Sequence, residues 1–250
     1  MIPNPWDRGS ARLLESLGFP ALATTSSGMA WSLGMTDNHV PLDQALDRIE
    51  EIASAVDVPV NADFEGGFAI DPVDVASNVT RCVATGVAGL SIEDSTGDTG
   101  NPLFDFALSV ERIRAARRAI DASGVDVLLT GRSEGFIAGR PDLAETIRRL
   151  VAYAEAGADC LYAPGIRTES DIAAVVNAVA PRPVNALVYS DFTTVADMAR
   201  VGVRRISVGG ALARAAWTGF LSSAQEIIDA GTFTGLAKTV GSGDLQRRFK

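Results

Sequence analysis

The residues of this chain best suited to chemistry are acids that directly follow apolar runs. Val58-Pro59-Val60-Asn61-Ala62 ends in Asp63-Phe64-Glu65-Gly66-Gly67, and Gly89-Leu90-Ser91-Ile92 ends in Glu93-Asp94. Such runs read as buried strands, and acids just behind them gather at one end of a sheet, the end that carries the site in parallel α/β folds. An oxygen-rich concavity of this kind suits a hard cation such as magnesium, which keeps several of its waters. Asp63 and Glu65, two residues apart, are expected to face one way from an extended strand end, with Glu93 joining them from the next strand. A carboxylate placed like Glu93 is costly to bury unpaired. Arg132 follows Val127-Leu128-Leu129-Thr130-Gly131 in the same manner. A guanidinium there can hold a carboxylate or phosphoryl group through two parallel hydrogen bonds, or pair with Glu93 or Glu134 instead. The stretch Thr24-Thr25-Ser26-Ser27-Gly28 offers hydroxyls and amides as an anion nest beside it.

The elements that must position these groups form a repeating unit: an amphipathic helix closing on glycine, then two or three residues, then a short apolar run. The glycines are Gly18, Gly86, Gly157 and Gly202, and the runs after them span 21–24, 89–92, 160–163 and 205–208. Glycine just past a helix accepts the left-handed conformation that turns the chain back. Further strands are predicted at 59–62, 127–131 and 183–186, with a stub at 2–4, which makes eight. Helical periodicity covers 42–56, 72–85, 109–122, 142–156 and 193–201, and Thr168 before Glu169 marks another helix start. Eight strand–helix alternations predict an α/β fold, a (β/α)8 TIM barrel, over residues 1–235 as one domain, with 236–250 a peripheral tail. In such a barrel the rim would gather Thr25, Ser26, Ser27, Asp37, His39, Asp63, Glu65, Glu93, Asp94, Arg132, Ser133, Glu134, Asn185 and the Gly209-Gly210 pair.

With 250 residues, 47% of them hydrophobic, and a net charge of −9, the chain suits one compact domain and disfavours a phosphate-backbone partner, so no nucleic acid is expected. Arg112, Arg114, Arg117 and Arg118 read as a solvated helix face. No apolar stretch approaches the roughly 20 residues of a bilayer span, and a cytoplasmic protein without membrane partners is the expectation. Cys82 and Cys160 read as buried small apolar residues. His39 is the single histidine, and no Gly-x-Ser-x-Gly elbow accompanies it, which argues against a hydrolase triad.

Taken in order, Pro3-Asn4-Pro5-Trp6-Asp7, Ser10-Ala11-Arg12, Leu17-Gly18-Phe19, the 24–28 segment, Leu33-Gly34, Asp37, Asp63-Phe64-Glu65-Gly66-Gly67, Ile92-Glu93-Asp94, Arg132 and Glu155-Ala156-Gly157-Ala158-Asp159 resemble the isocitrate lyase and phosphoenolpyruvate mutase superfamily. The resemblance runs from Met1 to about residue 220. It implies a barrel whose last helix is exchanged between subunits of a homodimer or homotetramer, with Mg2+ (Mn2+ as a substitute) at the site. It also implies C–C or P–C bond chemistry next to a 2-oxo or enolate carboxylate. Carried over by position, Asp63 and Glu65 resemble the paired acids that hold the metal directly or through water, with Glu93 completing its surroundings. Asp37 resembles an aspartate near the metal. Thr25, Ser26 and Ser27 resemble the segment that binds the substrate carboxylate, Arg132 the anion-binding arginine, and Asn185 a substrate-contacting asparagine.

The departures decide the expected reaction. Lyases of the superfamily carry Lys-Lys-Cys-Gly-His on the loop after the strand that ends here in Glu93, and its cysteine is the acid or base. This chain has Ser95-Thr96-Gly97-Asp98-Thr99-Gly100-Asn101 there. The lysine-bearing mutase loop is missing too, Pro164 stands where a glutamate is usual, and Glu65 replaces the second metal-motif aspartate. Isocitrate or methylisocitrate cleavage would lack its proton carrier. The expected activity is a magnesium-dependent lyase or decarboxylase acting on a small 2-oxo or 2-hydroxy dicarboxylic acid through an enolate. Arg132 and Asp37 would serve the reacting end, and the proton would come from solvent, Asp98 or His39. P–C chemistry of the mutase or phosphonopyruvate hydrolase type, and a non-catalytic ligand binder, are the alternatives. The 210–230 segment reads as a long amphipathic helix whose Trp217 and Phe220 a partner subunit would bury.

Overall fold

A computed structural model describes all 250 residues. Seven parallel strands follow one another in chain order around the sheet: β1 (Leu22–Ala23), β2 (Val60–Asp63), β3 (Gly89–Glu93), β4 (Leu128–Arg132), β5 (Cys160–Tyr162), β6 (Val184–Leu187) and β7 (Arg205–Ser207). The eighth place belongs to the N-terminal stub. The Ile2 amide donates to the Ile206 carbonyl at 2.8 Å and the Ala23 amide to the Pro3 carbonyl at 3.1 Å, so residues 2 and 3 lie between β7 and β1 and bring the barrel nearly to closure. Asn4 adds to the seam, accepting from the Val208 and Gly209 amides at 2.8 and 2.9 Å.

Strand alternation separates two environments. Ala62, Leu90, Ile92, Leu129, Leu161, Val184, Ala186 and Ile206 belong to one core of 36 buried residues between strands and helices. Their in-between neighbours Asn61, Asp63, Ser91, Arg132, Tyr162, Asn185, Arg205 and Ser207 line a cavity inside the barrel. A two-residue period thus puts the apolar side chains outward against helices and leaves a polar lumen.

The outer ring comprises α1 (Arg8–Ser16), α2 (Ser26–Ser32), α3 (Leu42–Ala53), α4 (Pro72–Ala84), α5 (Phe106–Ser123), α6 (Leu143–Glu155), α7 (Glu169–Val179), α8 (Val195–Arg200) and α9 (Ala211–Ala230), with α10 (Ser242–Arg248) in the tail. Side-chain caps start them: Asp71 ahead of Pro72, Asp105, Asp142, Thr168 and Thr194 each accept from an amide in the first turn. Gly18, Gly86, Gly157 and Gly202 all have positive φ, as the helix-ending pattern requires. α1 is the helix expected to close on Gly18, whereas α2 was not among the expected helices. The first has its own capping box, the Asp7 side chain accepting from the Ser10 amide, and the second converts the expected Ser/Thr turn into a helical turn. Residues 242–248 are also helical, and α10 lies on α1, with Arg12 donating to the Phe249 carbonyl at 2.8 Å. No helix is long and apolar enough to cross a membrane.

Candidate active site

Asp63 is the last residue of β2 and points into the lumen. Its Oδ2 accepts the Ser26 amide at 2.9 Å, while its Oδ1 accepts from Arg132 Nη1 at 3.1 Å. That amide therefore holds Asp63, and within the 25–27 segment the Thr25 and Ser27 hydroxyls lie 3.1 Å apart. Arg132 ends β4 in register with Glu93 on β3 and pairs with it at 3.0 Å, while its Nε donates to Glu134. One guanidinium thus sits among three carboxylates, with its charge held by all of them. Burial pushes the Glu93 and Glu134 carboxyls up, and Arg132 pulls against that rise. Asp37, brought in by the loop after α2, is raised by burial and by nearby Asp63, with a Ser26 hydrogen bond partly offsetting the rise.

Glu65 departs from the expected geometry. The strand ends at Asp63, and Glu65 lies in a turn at φ +46°, so the two-residue period no longer applies. It borders a neighbouring cavity with Glu93, Ser95, Thr96 and Arg112 rather than the one lined by Asp63. Burial, then Asp63 and Asp37, push its carboxyl up to about 8. The turn is held from outside the barrel: Arg112 on α5 donates to the carbonyls of Gly66, Ala69 and Ile70, the last at 2.7 Å, and stacks on Phe104. Arg112 is 1% exposed, which corrects its reading as part of a solvated face.

Three further expectations are corrected. Asp94, grouped with the cation-binding acids, points away from the lumen. It accepts the Tyr153 hydroxyl at 2.7 Å, Arg149 at 3.1 Å and the Glu134 amide at 2.7 Å. Strand alternation at Glu93 sends the next residue to the helix side. His39 is exposed, with its Nδ1 2.8 Å from the Asp37 carbonyl, and does not line the cavity. Asp98 caps its own exposed turn, accepting the Gly100 amide at 2.8 Å, on a loop closed by an antiparallel bridge between Ser95 and Leu103. Neither candidate proton donor is at the site.

The cavity encloses about 150 Å³. It brings together Thr25, Ser26, Ser27, Asp37, Asp63, Arg132 and Asn185 from the expected set, and adds Asn4, Asn61, Ser91, Tyr162, Arg205 and Ser207. The added side chains come from the N-terminal stub (Asn4) and from within or at the ends of strands rather than from the loops after strands. The signal that could have found them is polar residues alternating with apolar ones inside the runs. Gly210 lets α9 start close to α2, since a Cβ there would fall 2.7 Å from Ser27 Oγ.

The donor set of Asp37, Asp63, Glu65 and Glu93 is hard and oxygen-only, and burial, with the neighbouring acids, raises the carboxyls of Asp37, Glu65 and Glu93, which fits a divalent cation. No three acids converge on one point closely enough to ligate an ion together. The fit is therefore to a cation held by one or two carboxylates and its own waters, as magnesium commonly is.

A polar-lumened (β/α)8 barrel with an arginine clasped by acids at the carboxyl ends of its strands defines an enzyme of the barrel class, with its site at the usual face. The chain belongs to the phosphoenolpyruvate phosphomutase family, whose model matches residues 1–228, and through it to the isocitrate lyase/phosphoenolpyruvate mutase superfamily. A lyase/mutase-class protein of Burkholderia cenocepacia is similar at 47% identity and TM-score 0.96, over 99% of this chain and 90% of that one. Oxaloacetate acetylhydrolase in complex with its product oxalate is similar at 27% identity and TM-score 0.88, over 99% and 88%. The oxaloacetate decarboxylase of Bradyrhizobium diazoefficiens is 28% identical over 199 residues, 74% of this chain and 67% of that protein. C–C-cleaving enzymes are among these relatives, and the chain is an enzyme of a superfamily that holds C–C lyases and decarboxylases beside phosphoenolpyruvate mutase.

Proposed function

We propose that the enzyme cleaves or decarboxylates a small 2-oxo or 2-hydroxy dicarboxylic acid through an enolate, with Mg2+ as cofactor and Mn2+ able to replace it. The observation that carries this reading is Arg132, set among Asp63, Glu93 and Glu134 at the mouth of a polar cavity that Asp37 also lines. Relatives that act on oxaloacetate supply the substrate class.

Asp63 and Glu93, with Asp37 and Glu65 behind them, would hold the cation. When bound, it would supply a positive centre for the oxygen that becomes the enolate. Arg132 would bind the substrate carboxylate through Nη2, the nitrogen its three acid partners leave unused, and would face developing negative charge from a buried position. The hydroxyls of Thr25, Ser27 and Tyr162 line the same cavity and would orient the acid. Burial keeps the Tyr162 phenol protonated, so it acts as a donor. Because His39 and Asp98 lie outside the cavity, the enolate would take its proton from water.

Oxaloacetate incubated with the protein and Mg2+ should release carbon dioxide or a two-carbon product, and EDTA should stop it. Inertness toward a panel of 2-oxo and 2-hydroxy diacids would overturn the reading. The P–C alternative, kept open by the family model itself, predicts a changed phosphorus NMR signal for phosphonopyruvate instead.

A further inference from the structure

The cavity has two chemically different ends. Its mouth is acidic and calls for a cation. Its floor carries a guanidinium with no acid beside it. Register partners run Glu93, Arg132, Tyr162, Asn185, Arg205 across β3 to β7. The row starts at the last residue of β3 and β4 and ends at the first residue of β7, as tilted barrel strands require. It therefore descends from the mouth to the floor and delivers one arginine to each level.

Arg132 is flanked by three carboxylates, whereas Arg205 has none within ion-pairing distance. Neutral groups hold it instead: Nε donates to Asn185 Oδ1 at 3.0 Å and Nη2 reaches across the lumen to Thr130 Oγ1 at 2.7 Å. Asn185 is itself fixed by donating to Ser207 Oγ at 2.9 Å, so its amide orients Arg205. A guanidinium has five N–H donors and these bonds use two, leaving Nη1 wholly free within the lining of the cavity. A cation that is oriented but not neutralised inside a barrel favours an anion strongly, because the protein has already met part of its desolvation cost without supplying a counter-charge.

Resting on the function proposed above, we infer that Arg205 binds the far carboxylate of the dicarboxylic acid whose 2-oxo or 2-hydroxy carboxylate end lies by Arg132. Arg205 is then the residue that selects diacids over monoacids. The cavity volume of about 150 Å³ limits the ligand to a small acid, since a void of that size accepts a ring of six carbons in another protein.

Calorimetry with Mg2+ present separates the possibilities, using racemic lactate and racemic malate. The two share a 2-hydroxy carboxylate head, and malate alone carries a second carboxylate. The native protein should bind malate at least tenfold more tightly than lactate, in line with a charge-assisted hydrogen bond. Arg205→Met should bring malate to the lactate level and leave lactate unchanged, while Arg205→Lys should keep part of the preference. If Arg205→Met does not fold, Arg205→Gln, which keeps a polar group but no charge, must show the same loss. Persistence of the full malate preference in the uncharged variants overturns the role of Arg205 and leaves the proposed function standing. Failure of the native protein to bind either acid overturns both.

Discussion

At the scale of single residues, the acids differ in what their surroundings allow. Asp63 is held by an amide and a guanidinium, whereas Glu65 is buried near two other acids without a hydrogen-bond donor. Its carboxyl, raised from 4.5 to about 8, favours the protonated state in the fold. The stability this contributes is therefore full below about pH 4.5 and is lost as pH rises through about 8. In EDTA, the melting temperature should fall between about pH 5 and pH 9, and Glu65→Gln should flatten that decline and raise the value at the alkaline end. An equal slope in the variant would show that Glu65 is not the group responsible. That Glu65 is acidic and near the metal motif was legible in the sequence. Its left-handed backbone was not, because a glutamate carries no sign of positive φ.

At the scale of elements, the loop after β2 is positioned by a helix nearly fifty residues further along. Arg112 ties three carbonyls of that loop to α5, and a hydrophobic replacement would leave them unpaired, at a cost of about 3 kcal/mol. Arg112→Met should lower the melting temperature by roughly 6 °C or more and raise the Mg2+ concentration needed for half-maximal activity. Thermal melting and a Mg2+ titration would check both. Unchanged Mg2+ dependence with a lower melting temperature would reduce Arg112 to a structural tie. Strand order, helix caps and glycine turns were readable because each is local chemistry with a fixed period. The inward turn of Arg112 was not, since it lies in a run of arginines of which Arg114 and Arg118 are exposed and Arg117 is half-buried against Asp159.

At the scale of the whole molecule, α9 stands out. Of its 20 residues only Ala213 is buried, while Phe220, Leu221 and Ile228 are 62%, 62% and 78% exposed and Trp217 packs edge-on to Phe220 at 5.7 Å. A helix this apolar and this uncovered favours a second copy of the chain as its partner. Light scattering should give a dimeric or tetrameric mass, and Phe220→Asp should shift it toward the monomer. A monomeric native protein would overturn the expectation of helix exchange.

The sequence alone determined the alternation of strands and helices, the closure of eight units into a barrel, and the superfamily, because each rests on periodicity or on the order of short motifs. It also placed Asp63, Glu93, Arg132 and the 25–27 segment at one mouth, since acids and arginine after parallel strands have only one end to occupy. Only the tertiary structure decided which way individual side chains turn. It sent Asp94 outward to Tyr153 and Arg149, left His39 and Asp98 in solvent, and set Arg205 on the cavity floor. The reason is physical: side-chain direction depends on pleat, strand tilt and the partners that other elements bring, and none of these is a property of a local segment.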